Sequence, residues 1–589
     1  MLQEQRLEVG ARPMSTGQLV RRDSLSDRTP EFIAFTTIAL GLVDIVSALT
    51  PERVARLHEL TKAIPLGLAQ HASAATLVVG LFLLLLGRGL RRRLRSAWRG
   101  AVILAGLSVA LNIGKGLDIE EAAAFSILLV LLVWSRSQFT ALGDPDSRQR
   151  IGHTFMVMLG SSLVLGSLLL VVRRSAFVGS PSILGWLQEV LYGLAGFDGP
   201  VVFRHEGTKD VVSTLLFGLG AATLVTTAYQ AFRAAQPRSQ LSPHDEISVR
   251  ALLEERPTPD SLGYFALRRD RATLFSTSGQ AAISYRVVSG VMLASGDPIG
   301  DPAGWPLAIS EFLALARESG WVPAVFGCGE QGAQIWSGGT GLKHLTIGDE
   351  AVLDVDTFTL AGRRIRNVRQ MVARARRSGF TTDVRRVGSL GDAEIDEIRH
   401  KVDVWRNADV ERGFSMALGR FGDPADAECV VVVARKDEEL VGVLQFVPSS
   451  SGGISLDLMR RERAAGSGLN ELMIVSALDA APHLDIDRIS LNFAVFRSVL
   501  DRGACGDSGV RLRTARATLT IASRWFQIES IYRFNAKFRP TWVPRFVCYR
   551  KASDLPRVLY ATLKAEAFIV SPRHHWRMRH SQPAPGSTR

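Results

Sequence analysis

The stretch ECVVVVARKDEELVGVLQFVPSSSGGISLDLMRRERAAGSGLNELMIVSALDAAPHLDIDRISLNFAVF (residues 428–496) decides the fold of the C-terminal half. Its first 22 residues read as two strands around the charged turn KDEE, and GISLDLMR reads as a third strand. GLNELMIVSALDAA has helical spacing, and RISLNFAVF returns to a β-rich apolar run. The order is therefore strand, strand, strand, helix, strand. Upstream, ASGDPIGDPAGW is a turn region that feeds the helical pattern WPLAISEFLALARESG, and AVLDVDTF (351–358) reads as a strand. A weaker β-rich, helix-flanked pattern over 260–358 suggests a first copy of the same unit.

The N-terminal half is of another kind. Apolar runs fall near 32–49, 64–86, 101–117, 121–135, 151–172 and 211–230. Several approach the roughly 20 residues that cross a bilayer core as helix. This predicts a polytopic α-helical membrane domain of about six spans over 32–232, after a cytoplasmic tail at 1–31 without a signal-peptide apolar region. The loop GRGLRRRLRSAWR (87–99) carries six arginines, whereas the connection near Asp118, Glu120 and Glu121 is acidic. Positive loops stay in the cytoplasm, which places the N-terminus, the 87–99 and 136–150 loops and everything after residue 231 inside. PSILGWLQEVLYGLAGFDGP (181–200) reads as an amphipathic piece on the outer surface. Lys115 fits a snorkelling residue near a helix end, or a mark of a lipid path.

A polar, Pro-containing linker is expected over 233–260. The formal net charge is +13, and only nine of the 70 basic residues are Lys. Such a balance favours anionic partners, either phospholipid head groups or nucleic acid. The four cysteines (Cys328, Cys429, Cys505, Cys548) show neither CxxC pairing nor a partnered His spacing, so free thiols in a reducing compartment are expected.

The strand order of 428–496 resembles the core of the Gcn5-related acyltransferase (GNAT) fold. SLDLMR, RISLNFAVFRS, SRWFQIESIYRFNAKFRPTWVPRFVCY and RGFSMALGRFGDPAD resemble the C-terminal domain of phosphatidylglycerol lysyltransferases of the multiple peptide resistance factor group. YFALRRDRATLFS, ASGDPIGDP and NVRQMVARARRSGF fit the same family. The similarity covers roughly 260–570 and is nearest to mycobacterial members that carry a fused lysyl-tRNA synthetase; none is expected after Ser571. The resemblance implies an α/β tandem GNAT-like domain, with a first subdomain at 261–385, a second containing the active site at 386–572, and a polar tail at 573–589. It implies transfer of an aminoacyl group, lysyl by resemblance, from aminoacyl-tRNA to the glycerol hydroxyl of phosphatidylglycerol at the cytoplasmic leaflet. No metal or cofactor is implied. Whether the membrane half also flips the product stays open.

Asp457 and Arg460 form D-x-x-R at a strand end. Strict alternation sends Ile454, Leu456 and Leu458 to the core and separates Arg460 from Asp457, unless a bulge brings the two into one cleft. The resemblance makes Asp457 the acid for the aminoacyl ammonium, with Arg460 and Lys537 as further catalytic groups; a structural Asp–Arg pair is the plain alternative. Asn492, Ser415, Arg420 and Arg545 are candidate substrate contacts. Ser415 has no His–Asp companions, so a hydrolase triad is rejected. On RRIRNVRQMVARARRSGF, Arg366, Arg369 and Arg377 form a stripe suited to RNA or lipid phosphates, while Val368 and Val372 turn inward. Arg463, Gly466 and Gly468 form R-x-x-G-x-G before a helix, a pattern that cradles pyrophosphate in acyl-CoA enzymes. It supports the rival reading, a CoA-dependent acyltransferase acting on a membrane lipid or amine, and suits a tRNA phosphate equally. A lipid flippase with an inactive soluble domain is the third.

Overall fold

The computed structural model describes residues 29–49, 67–115, 119–141, 147–179, 181–231, 239–255, 260–406, 413–449, 452–495 and 528–569. Cys505 and His574, His575 and His580 (to which the sequence assigns no role) lie outside them, as do residues 496–527 with the ends of two of the quoted motifs. Two compact units divide near residue 235.

The first unit consists of helices α1 (Thr29–Leu49), α2 (Gly67–Arg91), α3 (Arg95–Lys115), α4 (Ile119–Trp134), α5 (Ser147–Val172), α6 (Ile183–Ala195) and α7 (Glu206–Ala231). The described part of each expected apolar run falls on one of them, while 64–66 and 116–117 lie outside the described residues. Among the described residues, two stretches, Ile151–Val172 and Glu206–Ala231, are long and apolar enough to cross a membrane. The piece expected at the outer surface is α6, capped by Ser182 Oγ on Gly185 N–H and ended by Gly196 in the left-handed conformation.

The second unit begins with α8 (Pro243–Glu255), inside the stretch expected as linker. Pro243 stands in its first turn, Ser242 Oγ accepts from Asp245 N–H, and Asp245 and Glu246 sit at the favoured end of the dipole. Val249 and Leu252, three residues apart, are buried and tie the helix to the α/β core.

That core is one twelve-stranded sheet built from two similar runs. The first run is β1 (Ala272–Phe275), β2 (Ala281–Val288), β3 (Val291–Ser295), β4 (Ile299–Gly300), α9 (Trp305–Glu318), β5 (Val322–Cys328), α10 (Glu330–Ser337) and β6 (Lys343–Asp354). Next come α11 (Arg366–Arg377), β7 (Phe380–Arg386) and α12 (Asp392–Val404). The second run is β8 (Val430–Lys436), β9 (Glu439–Ser449), β10 (Gly453–Arg461), α13 (Leu469–Ala480), β11 (Arg488–Val495), α14 (Ile528–Ala536) and β12 (Thr541–Tyr549), with α15 (Leu555–Ala565) at its end. In both runs a helix carries the chain from the third strand to a parallel neighbour, β3 to β5 and β10 to β11. The strand expected over 351–358 starts earlier, at Lys343, and ends at Asp354, where Asp354 accepts from Thr357 N–H and turns the chain.

The sheet order is β1-β2-β3-β5-β12-β6-β11-β10-β9-β8-β7. The last strand of each run is thus exchanged: β12 pairs with β5 of the first run, and β6 pairs with β11 of the second. β12 and β6 pair with each other at the centre. Apolar layers cover the sheet. Trp305, Phe312 and Trp336 pack on β2, β3 and β5, and α11 and α13 bury Val368, Val372 and Met473 against the second run.

One buried charge cluster sits where the exchanged strands meet. Arg545 on β12 is 3% exposed; its guanidinium bonds Asp260 Oδ1 at 2.6 Å, Glu350 Oε2 on β6 at 2.5 Å and Ser261 Oγ at 2.6 Å. Burial alone would lower its pKa, but Glu350, Asp260 and Asp297 hold it above the usual value. Breaking a buried pair by removing one partner leaves an uncompensated charge, so Arg545→Ala should cost about 3–5 kcal/mol. A lowered thermal midpoint of the detergent-solubilised chain is the expected result. The Asp297 carboxyl is pushed up to about 7 by burial and by Asp260, against the pull of Arg545 and of Gly329 N–H. Between about pH 4 and that value the folded chain keeps a proton that the unfolded chain releases. Stability should fall as pH rises through that window and be level above it. Asp297→Asn should remove the slope in denaturation midpoints measured from pH 5 to 8.

Candidate functional site

The two parallel strand pairs differ in one respect. β3 is paired with β5 along its whole length, Val291 to Ser295. β10 is paired with β11 only from Gly453 to Ser455, after which both strands continue apart. Each is irregular at the opening. The register of β10 against β9 shifts between Leu456 and Leu458, so Asp457 is the extra residue of a bulge. The register of β11 against β6 shifts between Ser490 and Phe493. Asn492 there has φ +65°, a conformation that Asn adopts more readily than most side chains.

The bulge changes which faces the following residues use. Ile454 and Leu456 pack with the α11/α13 layer, as alternation predicts. Leu458 instead packs against the core cluster on the opposite layer, and Met459 returns to the first. Expecting Leu458 on the same face as Leu456 was therefore wrong, because one inserted residue inverts the alternation. The inversion puts Arg460 on the face that Asp457 occupies.

Asp457 is half-buried. Its Oδ1 accepts from Leu418 N–H at 2.6 Å and its Oδ2 from Gln445 Nε2 at 2.6 Å. These two donors hold the carboxylate in one orientation. Asn492 Nδ2 donates to the Leu456 carbonyl, bridging the two strands at the opening. Its Oδ1 is buried and accepts no hydrogen bond among the described residues. Lys537, in the turn after α14, pairs with the buried Glu471 of α13 at 2.9 Å and lies 5.1 Å from the Phe534 ring. It is about one-third exposed, a charge held in place yet open to solvent.

Three expected substrate contacts prove to be structural. Ser415 is fully buried, and its Oγ and N–H both donate to Glu566 of the segment after α15. Arg420 is spent on Asp426, Glu246 and the Leu267 carbonyl. Arg545 lies in the cluster at the strand exchange. Each is engaged with acids, carbonyls or hydroxyls of the protein itself. Ser415 and Arg420 have a purpose in holding the segment 413–421, which supplies the Leu418 N–H to Asp457. Arg268 binds its Gly413 and Ala417 carbonyls, Arg271 lies 4.4 Å from the Phe414 ring, and Gln445 binds the Arg420 carbonyl. Glu566 was not singled out by sequence, since a lone Glu near a helix end carries no signal.

The expected phosphate contacts also divide. Arg366 and Arg377 are exposed at opposite ends of α11. Arg369 is turned back on its own chain, its Nη1 donating to the Leu360 and Gly362 carbonyls, and so fixes the loop before the helix. Arg463 and Gly466 lie in an exposed turn, with the Gly466 carbonyl held by Arg461. Gly468 is buried with φ +100°, and a Cβ there would stand 2.6 Å from the Met371 carbonyl. Packing of α13 against α11 accounts for this glycine without a phosphate.

Glu566 accepts from Phe414 N–H at 2.6 Å as well as from Ser415. Losing one buried acceptor strands several donors, whereas losing the hydroxyl strands none. Glu566→Ala should therefore destabilise by about 3 kcal/mol and Ser415→Ala by about 1 kcal/mol, read from denaturant midpoints.

A family model described as "Phosphatidylglycerol lysyltransferase, C-terminal" matches residues 250–549, just over half of the 589-residue chain. The "Lysylphosphatidylglycerol biosynthesis bifunctional protein LysX" of Mycolicibacterium vanbaalenii is 41% identical over 459 residues, which is 78% of this chain and 41% of that protein. Its namesake in Mycolicibacterium gilvum is 42% identical over 473 residues, 80% of this chain and 42% of that one. The chain thus spans about two-fifths of the length of these relatives. Among solved structures, L-PGS from Bacillus licheniformis is 23% identical with a TM-score of 0.48, covering 56% of this chain and 98% of its own. With its strand-exchanged α/β half lying within the matched residues, the chain belongs to the phosphatidylglycerol lysyltransferase family.

Proposed function

We propose that the chain transfers a lysyl group from aminoacyl-tRNA to the glycerol hydroxyl of phosphatidylglycerol at the cytoplasmic leaflet. The observation that carries this reading is the opening between β10 and β11, where Asp457 and Asn492 occur at facing irregularities within the family-matched residues. The names of the relatives support the lipid and the amino acid.

The reaction exchanges one ester for another. The glycerol oxygen attacks the aminoacyl carbonyl carbon, the bond from that carbon to the ribose oxygen breaks, and the glycerol proton ends on the ribose oxygen. The donor ester is already activated, so the protein's main task is to align two alcohols about one carbonyl. Asp457 holds the ammonium of the amino acid. The unpaired Asn492 Oδ1 accepts from the substrate, and Arg460 and Lys537 stabilise the oxyanion as the carbonyl becomes tetrahedral. Half-burial of this group of residues limits water, which would otherwise hydrolyse the ester.

The membrane assignment belongs to the same proposal. α1 to α5 and α7 are read as spans and α6 as an outer-surface helix, with the α/β unit in the cytoplasm. Outward-facing Met156, Val164, Leu168 and Val172 on α5 are exposed, as lipid contact would require. The arginines of 87–99 set the orientation.

Asp457→Asn keeps an acceptor for Leu418 N–H but loses the charge. It should lower lysyl-lipid formation about 10- to 100-fold, the worth of a charge-assisted hydrogen bond, with the fold retained. Labelled lysine followed into lipid by thin-layer separation, in a host lacking such lipids, measures this. Wild-type yield from the variant would remove Asp457 from the site. Repeating the assay with other labelled amino acids identifies the group transferred, and ribonuclease sensitivity separates an RNA donor from acyl-CoA.

A further inference from the structure

A cavity of about 490 Å³, lined in part by Phe538 and Arg539, is one that the transfer chemistry above does not use. Its walls include Phe358, Ile365 and Phe538, and its rim carries Arg363, Arg364 and Arg539. The volume suits a small-molecule-sized group. All three arginines are exposed, and none has an acid partner among the described residues.

Two features of this rim are unfavourable without a ligand. Arg363 and Arg364 immediately precede α11, and Arg366 opens it, with no acid in the first turn. Cations there oppose the positive end of the helix dipole, where an anion is preferred. Arg539, beyond the turn that follows α14, has φ +57°, a conformation in which glycine is the ordinary occupant. The fold alone needs a turn at 539 but not a guanidinium in strained backbone, and this one lines the cavity. The loop before α11 is meanwhile fixed by Arg369 through two carbonyls, so the wall is already built.

We infer that this cavity binds one unpaired nucleotide of the RNA donor, next to its aminoacylated end, with the phosphate on Arg363, Arg364 and Arg539 and the base against Phe358. The inference rests on the RNA-dependent reading above and deepens it. Stacking faces combined with cations are how single strands are held without reading their sequence. A half-buried aromatic ring among the arginines favours a base, since a glycerol head group has no flat face to offer it. Phe538 adjoins Lys537 in sequence, so a nucleotide here leads its 3′ neighbour toward the proposed transfer site.

The test is a cycle on the full chain in detergent, with lysyl-accepting tRNA either intact or trimmed of its unpaired 3′ nucleotides. Intact RNA should bind Arg363→Glu/Arg364→Glu about tenfold or more weakly than wild type, with a shallower salt dependence, and Phe358→Ala should weaken it about tenfold. Trimmed RNA should bind wild type and variants alike. Losses that multiply, from variant and from trimming, would overturn the inference. So would unchanged RNA affinity together with lost binding to phosphatidylglycerol vesicles, which would make the cavity a lipid site. Ribonuclease-insensitive lipid product from the wild type would instead sink the donor assignment itself.

Discussion

The exchange of final strands at the centre of the sheet is the constraint on which the α/β half depends. Because β12 pairs with β5 and β6 with β11, neither run completes its sheet with its own residues. Arg545, Glu350 and Asp260 come from positions far apart in sequence and close the joint with hydrogen-bonded charge. A buried ion cluster is poor evidence for net stability, because desolvation offsets the attraction. Its stronger effect is on register. A slip of β12 along β6 would part Arg545 from the Asp260 and Glu350 contacts it makes in this register, so the cluster disfavours wrong pairings more than it favours the right one.

The same exchange positions the candidate site. β6 holds β11 on one edge and leaves the other edge of β11 to pair briefly with β10 before the two separate. Glu350 accepts from Ser490 Oγ, and that hydroxyl accepts from Asn492 N–H, so the joint reaches the irregular residue at the opening through two hydrogen bonds. Across the gap, Asp457 is fixed by Gln445 and by the segment 413–421, itself anchored by Arg268, Arg271 and Glu566. A carboxylate with two fixed donors has little freedom to turn, and such preorganisation favours binding of an ammonium without further ordering cost.

Much of this was legible in the chain. Strands around KDEE, the SLDLMR strand and the helix after it follow from period-2 and helical patterns, and each occurs where the pattern puts it. The helix at Pro243–Glu255 was hidden because only Val249 and Leu252 bury an apolar face, too few for a period to stand out among polar residues. Strand exchange was not legible at all. Local patterns say that a segment is a strand but not which neighbour it takes. For that reason Arg545 looked like a substrate contact: a cation in a polar motif reads the same whether its acids are absent or supplied by residues 195 and 285 positions away. Ser415 and Arg420 misled for the same reason, their partners Glu566 and Glu246 being distant in sequence.

The arginine excess divides along this line. A net charge of +13 suggests a uniformly anion-seeking surface. In fact Arg250, Arg420 and Arg545 face carboxylates, while Arg268 and Arg369 face backbone carbonyls as well. These cations hold loops and strands, and would do so in a protein with no anionic ligand. Arg374, Arg376 and Arg377 cluster in the last turn of α11, where the helix dipole welcomes positive charge. Cations at the start of α11 have no acid partner among the described residues and oppose the helix dipole, which sets them apart from those at its end. Counting charge thus identifies a class of ligand, but the energetic cost of each cation's position shows where that ligand binds.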